Sequence, residues 1–228
     1  MTTETRTCEI NVSAIKAALL FTGKEDIRGY LNGTCVEHGP LGVRLIATDG
    51  HRMLVQKIGE PDPDSPEVET VRFIVGNDTL KAAVKLAGKA ASMTCVWQQT
   101  RRPDETRSDV TVVETAKISI GGIAATDLQD TFGKYPTYER IVPRSISGEL
   151  AQFNAYYLAD CAKAKEILTG SKMGYVTVGH NGNGPALLNI SDAAFAVLMP
   201  MRGDKIEDIR VPEWFDATAA NVTQREAA

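Results

Sequence analysis

Ala47-Thr48-Asp49-Gly50-His51-Arg52-Met53 is the stretch from which the fold can be read. It joins Val43-Arg44-Leu45-Ile46 to Met53-Leu54-Val55, two apolar runs that alternate like strands, and Asp-Gly between such runs marks a tight reversal. His51 and Arg52 are therefore expected at a hairpin exit, displayed by a sheet. A carboxylate near an imidazole is also half of a general-base pair. Nothing in the sequence completes it: His38 and His180 fall in turn-like sequence, and no Gly-x-Ser-x-Gly is present. The turn is read as structural or binding, and the chain as a non-enzyme.

Outward from this hairpin, one order of elements recurs. Residues 7–11 read as a strand, and Asn11 or Ser13 can cap a helix carrying Val12, Ile15 and Leu19 at helical spacing, closed by Gly23. Strands at 30–36 and 42–47 follow. The acidic, proline-rich Glu60-Pro-Asp-Pro-Asp-Ser-Pro66 breaks the pattern, since neither a helix nor a central strand accommodates it. A strand at 70–75 comes next, then a helix capped by Asn77 or Asp78 with Leu80, Ala83, Val84 and Ala87 on one face. Strands at 93–98, 109–114 and 117–120 follow, with 100–107 as a long polar loop. A third copy has a strand at 149–153, a helix capped by Asn154 with Tyr157, Leu158, Cys161 and Leu168, and strands at 175–179, 186–190 and 194–199. Self-similarity at such a period signals an array whose units bury surface against each other.

Composition narrows the class. With 228 residues, 43% hydrophobic and 24% charged, the chain can bury a sizeable core and is neither disordered nor membrane-spanning. Its most apolar stretch, 193–201, is too short to cross a bilayer, and the N-terminus has no signal-peptide core, so a cytoplasmic location is expected. The four cysteines, at 8, 35, 95 and 161, have neither Cys-x-x-Cys nor histidine spacing and read as reduced thiols; no metal or cofactor is expected. The net charge of −4 argues against a basic nucleic-acid-binding surface over the whole chain, but the segment from Gly203 onward alone carries −3. The remaining body is about neutral, and a protein that encloses DNA needs a positive surface only on its enclosing side.

Four segments give the reading a family. Arg28-Gly-Tyr-Leu-Asn-Gly33, the 47–53 hairpin, Phe132-Gly-Lys-Tyr-Pro-Thr-Tyr-Glu-Arg140 and Val197-Leu-Met-Pro-Met-Arg202 together resemble the bacterial DNA sliding clamp, the beta subunit of DNA polymerase III. They occur in the order of that family's middle and last domains, and the resemblance covers most of residues 7–202. It implies an α+β DNA-clamp fold of repeated strand-helix-antiparallel-strand modules, with sheets outside and helices lining a ring. The expected division is a complete clamp-like domain over 1–143, with modules at about 1–66 and 67–143, a single module over 144–202, and a tail over 203–228. On this resemblance the chain is expected to be a short variant without the family's first domain and half of its last. With three modules per chain, four copies would rebuild a ring of twelve, so a homotetramer is expected.

Two working surfaces follow. Lys81, Lys85 and Lys89 fall at i, i+4 and i+8 of the second helix, forming one basic row. Lys16 and Lys24 lie on or just after the first helix, and Lys163 and Lys165 on the third. If these helices line a hole, they contact phosphate without sequence preference; the resemblance adds Arg28 and Tyr30 as positions near DNA, although Gly29 stands where some clamps have an aromatic. The second surface is a pocket for linear motifs of polymerases or clamp loaders. The resemblance places there Leu31, Thr48, Gly50, His51, Arg52, Met53, Pro136, Ile141, Val197, Met199, Pro200, Met201 and Arg202, with Arg52 expected to hold peptide carbonyls or acids. The implied function is a processivity factor that encircles duplex DNA and tethers a polymerase. The alternative is a clamp-derived module that binds linear motifs, or a host clamp, without encircling DNA. In the tail, Glu213-Trp214-Phe215 could mimic a clamp-binding peptide or bury against a sheet edge.

Overall fold

Alternation of side chains across strands builds two antiparallel sheets in the computed structural model, which describes residues 2–60, 70–103 and 111–202. Most of the acidic linker, the far part of the 100–107 loop and all of the 203–228 tail lie outside the described residues. One sheet holds β1 (Thr2–Asn11), β6 (Ser92–Pro103), β7 (Thr111–Ile120) and β8 (Ile123–Ala125), in the order β1-β6-β7-β8. The other has seven strands: β2 (Gly33–Gly39), β3 (Gly42–Thr48), β4 (Arg52–Gly59), β5 (Val71–Gly76), β9 (Thr177–Gly179), β10 (Ala186–Ser191) and β11 (Ala194–Leu198). Their order is β5-β2-β3-β4-β11-β10-β9, so the last strand of the chain pairs with the exit strand of the 47–53 hairpin.

The three longer helices sit together on one face of the seven-stranded sheet. α1 (Val12–Ala18) packs between α2 (Asn77–Ala87) and α4 (Ala155–Thr169). Residues of β2 to β4 alternate between two cores, which is why this sequence reads as nearly continuous apolar runs. Val36 and Leu45 point to the α1 and α2 side and Leu54 to the α1 and α4 side, whereas Cys35, Ile46, Met53 and Val55 point to the opposite face. That face is covered by the connector between β8 and α4, which includes the short helix α3 (Gln129–Phe132) and brings Tyr135 and Tyr138 onto the sheet.

Several sequence expectations need correction. Tyr30 belongs to a 3-10 turn, Gly29–Leu31, and β2 begins only at Gly33. α1 stops at Ala18 because the next amides tighten, Leu20 N–H bonding to Ala17 O at 3.1 Å and Phe21 N–H to Ala18 O at 2.9 Å, which turns Phe21 into the core. Neither Asn77 nor Asp78 caps α2: the cap is Gly76, and the Asn77 amide donates to Gly23 O instead. β6 runs through Thr100 to Pro103 rather than stopping at residue 98. The two strands expected around 109–120 are one, with Lys117 at φ 49° marking the irregularity. Residues 149–153 form no strand, and β9 has only the last three residues of the expected 175–179. α2 ends at Ala87 with Gly88 at φ 57°, so Lys89 is off the helix and the basic row is cut to Lys81 and Lys85.

Candidate functional site

The 47–53 turn is closed by its own polar groups. The Asp49 carboxylate accepts from His51 N–H at 2.9 Å, Arg52 N–H at 3.0 Å and Arg52 Nε at 3.0 Å, while Thr48 Oγ1 donates to Arg52 O at 2.7 Å. Asp49 is thus fully occupied in shaping the turn and does not face His51 as a base would. Gly50 has φ 89°, a conformation that favours glycine, and a Cβ there would stand 3.0 Å from the Arg28 guanidinium. The hairpin next receives the last strand: Val197 lies opposite Met53, and Met199 N–H bonds to His51 O at 2.8 Å, one step beyond the ladder.

The connector closes the third side. Asp127 Oδ1 accepts from Ile74 N–H at 2.9 Å, and Tyr135 donates its hydroxyl to Ile46 O at 3.2 Å. Tyr138 donates to Glu37, a carboxylate only 1% exposed that is also paired with Arg44 and, at 2.6 Å, with Arg72. Burial in this setting raises the Tyr138 phenol pKa, with the Glu37 charge adding to it. A buried carboxylate held by two guanidiniums and a hydroxyl is a fixed anchor, because its charge is compensated only where these partners meet it.

Between hairpin, connector and last strand lies a cavity of about 130 Å³. Ten of the thirteen expected residues line it: Leu31, Thr48, Gly50, His51, Arg52, Met53, Pro136, Ile141, Val197 and Met199. Thr137 and Tyr138 line it too; the three-residue spacing of Tyr135 and Tyr138 in the connector is the signal that would have flagged Tyr138 as facing the sheet. Pro200, Met201 and Arg202 do not, because the backbone turns away after Met199 and Met201 N–H bonds to Gln152 O at 2.7 Å. Arg28 and Tyr30, expected near DNA, also line this cavity. Arg28 forks onto Asp26, its Nε at 3.0 Å from Oδ1 and its Nη2 at 2.8 Å from Oδ2, and that hydrogen bonding holds the Asp26 carboxyl down at about 2.

Arg52 lines the cavity without being available to a ligand in the way its residue type suggests. Its guanidinium bonds Asp49, Asp160 of α4 and, at 2.8 Å, Leu20 O, and stands 4.5 Å above the Tyr157 ring. It pins the hairpin to α1 and α4. His51 remains exposed and stacks on Tyr157 with ring centroids 6.1 Å apart, so its imidazole is an open polar group of the rim, whereas the Thr48 hydroxyl is buried and committed to Arg52 O and Gly50 N–H. A second cavity of about 500 Å³ lies on the other side of Tyr138, rimmed by Arg44, Lys57, Glu139 and Asp192. What the smaller cleft can do is accept an apolar side chain among adaptable methionines, with backbone and imidazole groups at its edge.

The expected phosphate-facing residues divide by environment. Lys16, Lys24, Lys85 and Lys89 are exposed and have no ion pair among the described residues. Lys81 pairs with Asp78 at 3.3 Å and Lys163 with Glu166 at 2.8 Å, while Lys165 Nζ stands 4.1 Å over the Tyr175 ring. Gly29 also finds its reason: a Cβ there would lie 2.3 Å from the Phe132 ring, which occupies the space itself.

No family model and no curated protein matches the sequence. Solved structures do match the fold. A DNA polymerase sliding clamp from Pseudomonas aeruginosa aligns with a TM-score of 0.57 and 17% identity, over 86% of this chain and 66% of that one. The pol III beta of Caulobacter crescentus aligns with a TM-score of 0.53 and 15% identity, over 89% of this chain and 68% of that one. This chain thus spans about two thirds of the length of the clamps it matches. The chain carries the DNA sliding-clamp fold in a short form.

Proposed function

We propose that the protein is a DNA sliding clamp, a processivity factor without chemistry of its own that encircles duplex DNA and tethers a polymerase through the cleft beside Met199. The observation that supports this most is the cleft. Residues from three distant parts of the chain converge on one apolar cavity with an exposed histidine at its rim, as a site for a short linear motif requires. The domain division is a complete unit over 1–143, a single unit over 144–202 and a tail. Four chains supply the ring, and Lys16, Lys81, Lys85, Lys163 and Lys165 make its inner wall cationic. Among the described residues no helix is long and apolar enough to cross a membrane, in keeping with work on DNA in the cytoplasm.

A second reading draws on the same lysines. Lys81 and Lys163 already have carboxylate partners one helical turn away, which weakens their pull on phosphate and favours a motif-binding module that does not enclose DNA. The deciding experiment images the assembled protein and measures its retention on nicked circular DNA at low salt. A closed particle with a hole of duplex width, and retention lost when the circle is linearised, are expected; particles without a hole, or equal retention on linear DNA, reject the ring. Binding of a fluorescent peptide with leucine and phenylalanine anchors, measured separately, tests the cleft.

A further inference from the structure

Neither of the first two units keeps its first strand. β1 leads into α1 but pairs with β6, and β5 leads into α2 but pairs with β2, so each incoming strand completes the other unit's sheet. The register is shared: the residue before the helix lies opposite the first residue of the receiving strand, Asn11 opposite Ser92 and Gly76 opposite Gly33.

The third unit has the same parts with nothing to exchange them with. α4 is approached from Asn154 at φ −64° and ψ 117°, close to Asn11 before α1 at φ −63° and ψ 134°. Yet residues 149–153 form no strand, and β9 ends its sheet with β10 as its one neighbouring strand among the described residues. Gly148 N–H does reach His180 O at 3.0 Å, and Glu149 O accepts from Gly182 N–H at 2.9 Å, two bonds that tether the start of 149–153 to its own unit. The chain then crosses the end of its own sheet to the Gln152 and Met201 bond, so it never runs along Thr177–Gly179. Beside this open edge stand three exposed apolar side chains, Leu150 at 55%, Met173 at 66% and Tyr175 at 63%. An unpaired edge flanked by apolar surface is a template for another strand.

We infer that the strand comes from a second copy of this chain: residues 149–153 of each copy add antiparallel to β9 of the other, so that two third units make one complete domain about a two-fold axis. The register carries over. β6 starts five residues after α2 ends, and the same step after Thr169 puts the start of the receiving strand at Gly174. Asn154 then faces Gly174, Phe153 faces Tyr175 and Ala151 faces Thr177. The two five-residue runs with strand-like alternation match each other in length, which explains why neither is fully formed in one chain alone. A two-fold contact is self-complementary, each copy giving and receiving one strand. The inference rests on the exchange seen in the first two units and stands whether or not the assembly encloses DNA. If it does, two chains form a six-unit arc whose free ends are the β8 edges. Joining two arcs there gives the twelve units of the proposed ring, with copies related by two-fold axes.

Cysteine cross-linking of the full chain tests this. Under a mild thiol oxidant such as diamide, the variant with both Ala151→Cys and Thr177→Cys is expected to become a covalent dimer that dithiothreitol reverses, while each single variant stays at background. A link closed within one chain, or no link above the singles, overturns the inference. As a second measurement, Met173→Asp with Tyr175→Asp is expected to halve the mass of the assembly by light scattering at micromolar concentration, with far-ultraviolet circular dichroism and peptide binding in the cleft unchanged. An unaltered mass overturns it, whereas loss of peptide binding with the dimer intact would instead count against the proposed function.

Discussion

Tyr138 donates its hydroxyl to the buried carboxylate of Glu37 at 3.2 Å, joining residues 101 positions apart and fixing the connector against the sheet. Tyr138→Phe removes one hydrogen bond but leaves Glu37 its two guanidiniums, and is expected to cost about 1 kcal/mol. Glu37→Ala removes the carboxylate that Arg44 and Arg72 share, leaving Arg72 its Glu139 partner, and is expected to cost about 3 kcal/mol. Urea unfolding of both variants measures the difference. Equal losses would show that Glu37 is not the anchor of this face.

Met199 and Met201 are two residues apart but differ in place, one lining the cleft and the other 55% exposed outside it. Met199→Ala is expected to weaken capture of the anchor peptide about tenfold, or about 1.4 kcal/mol. Met201→Ala should change it less than about twofold on the same scale. Fluorescence anisotropy titrations compare them, and a larger effect from Met201 would move the binding site away from the cleft.

Arg52 acts as a pin between the hairpin and α4. A lysine offers one point charge where Arg52 reaches Asp49, Asp160 and Leu20 O at once. Arg52→Lys is therefore expected to lower stability by about 2 kcal/mol, and peptide affinity should fall with it as the turn loosens. A variant that loses affinity at full stability would restore a direct ligand role to this side chain.

The cysteines differ in reactivity for physical reasons. Burial pushes the Cys161 thiol up to about 12 and raises Cys35 as well, whereas a hydrogen bond from its cross-strand neighbour Cys95 lowers half-buried Cys8. Near pH 8, iodoacetamide is expected to label Cys8 ahead of Cys35, Cys95 and Cys161. Peptide mass spectrometry after a short exposure checks the order, and early labelling of Cys161 would mean that the α4 interface opens readily.

Local chemistry made the centre of the fold legible. Asp49-Gly50 between alternating runs marked the β3–β4 turn, and the spacing of Leu80 and Ala83 marked the buried face of α2. Most of the cleft was reachable through the resemblance, since its lining sits on the quoted segments. Features that depend on distant partners were not legible. Arg52 has the residue type of a ligand-binding group, and only the approach of Asp160 from α4 shows it committed elsewhere. Residues 149–153 have strand-forming alternation, but a strand exists only where a neighbour offers an edge. Tyr30 reads as β-forming and is instead drawn into a 3-10 turn that delivers Leu31 to the core.

Because the Phe132 ring fills the volume above Gly29, these two positions form one unit of inheritance. An aromatic placed at 29 collides with the connector, and a small residue at 132 alone uncovers the buried Gly29; only a paired exchange preserves the surface. Lineages of this short chain should therefore keep a glycine with a ring or a ring with a small residue at the two sites, and intermediates with two rings or none should be rare.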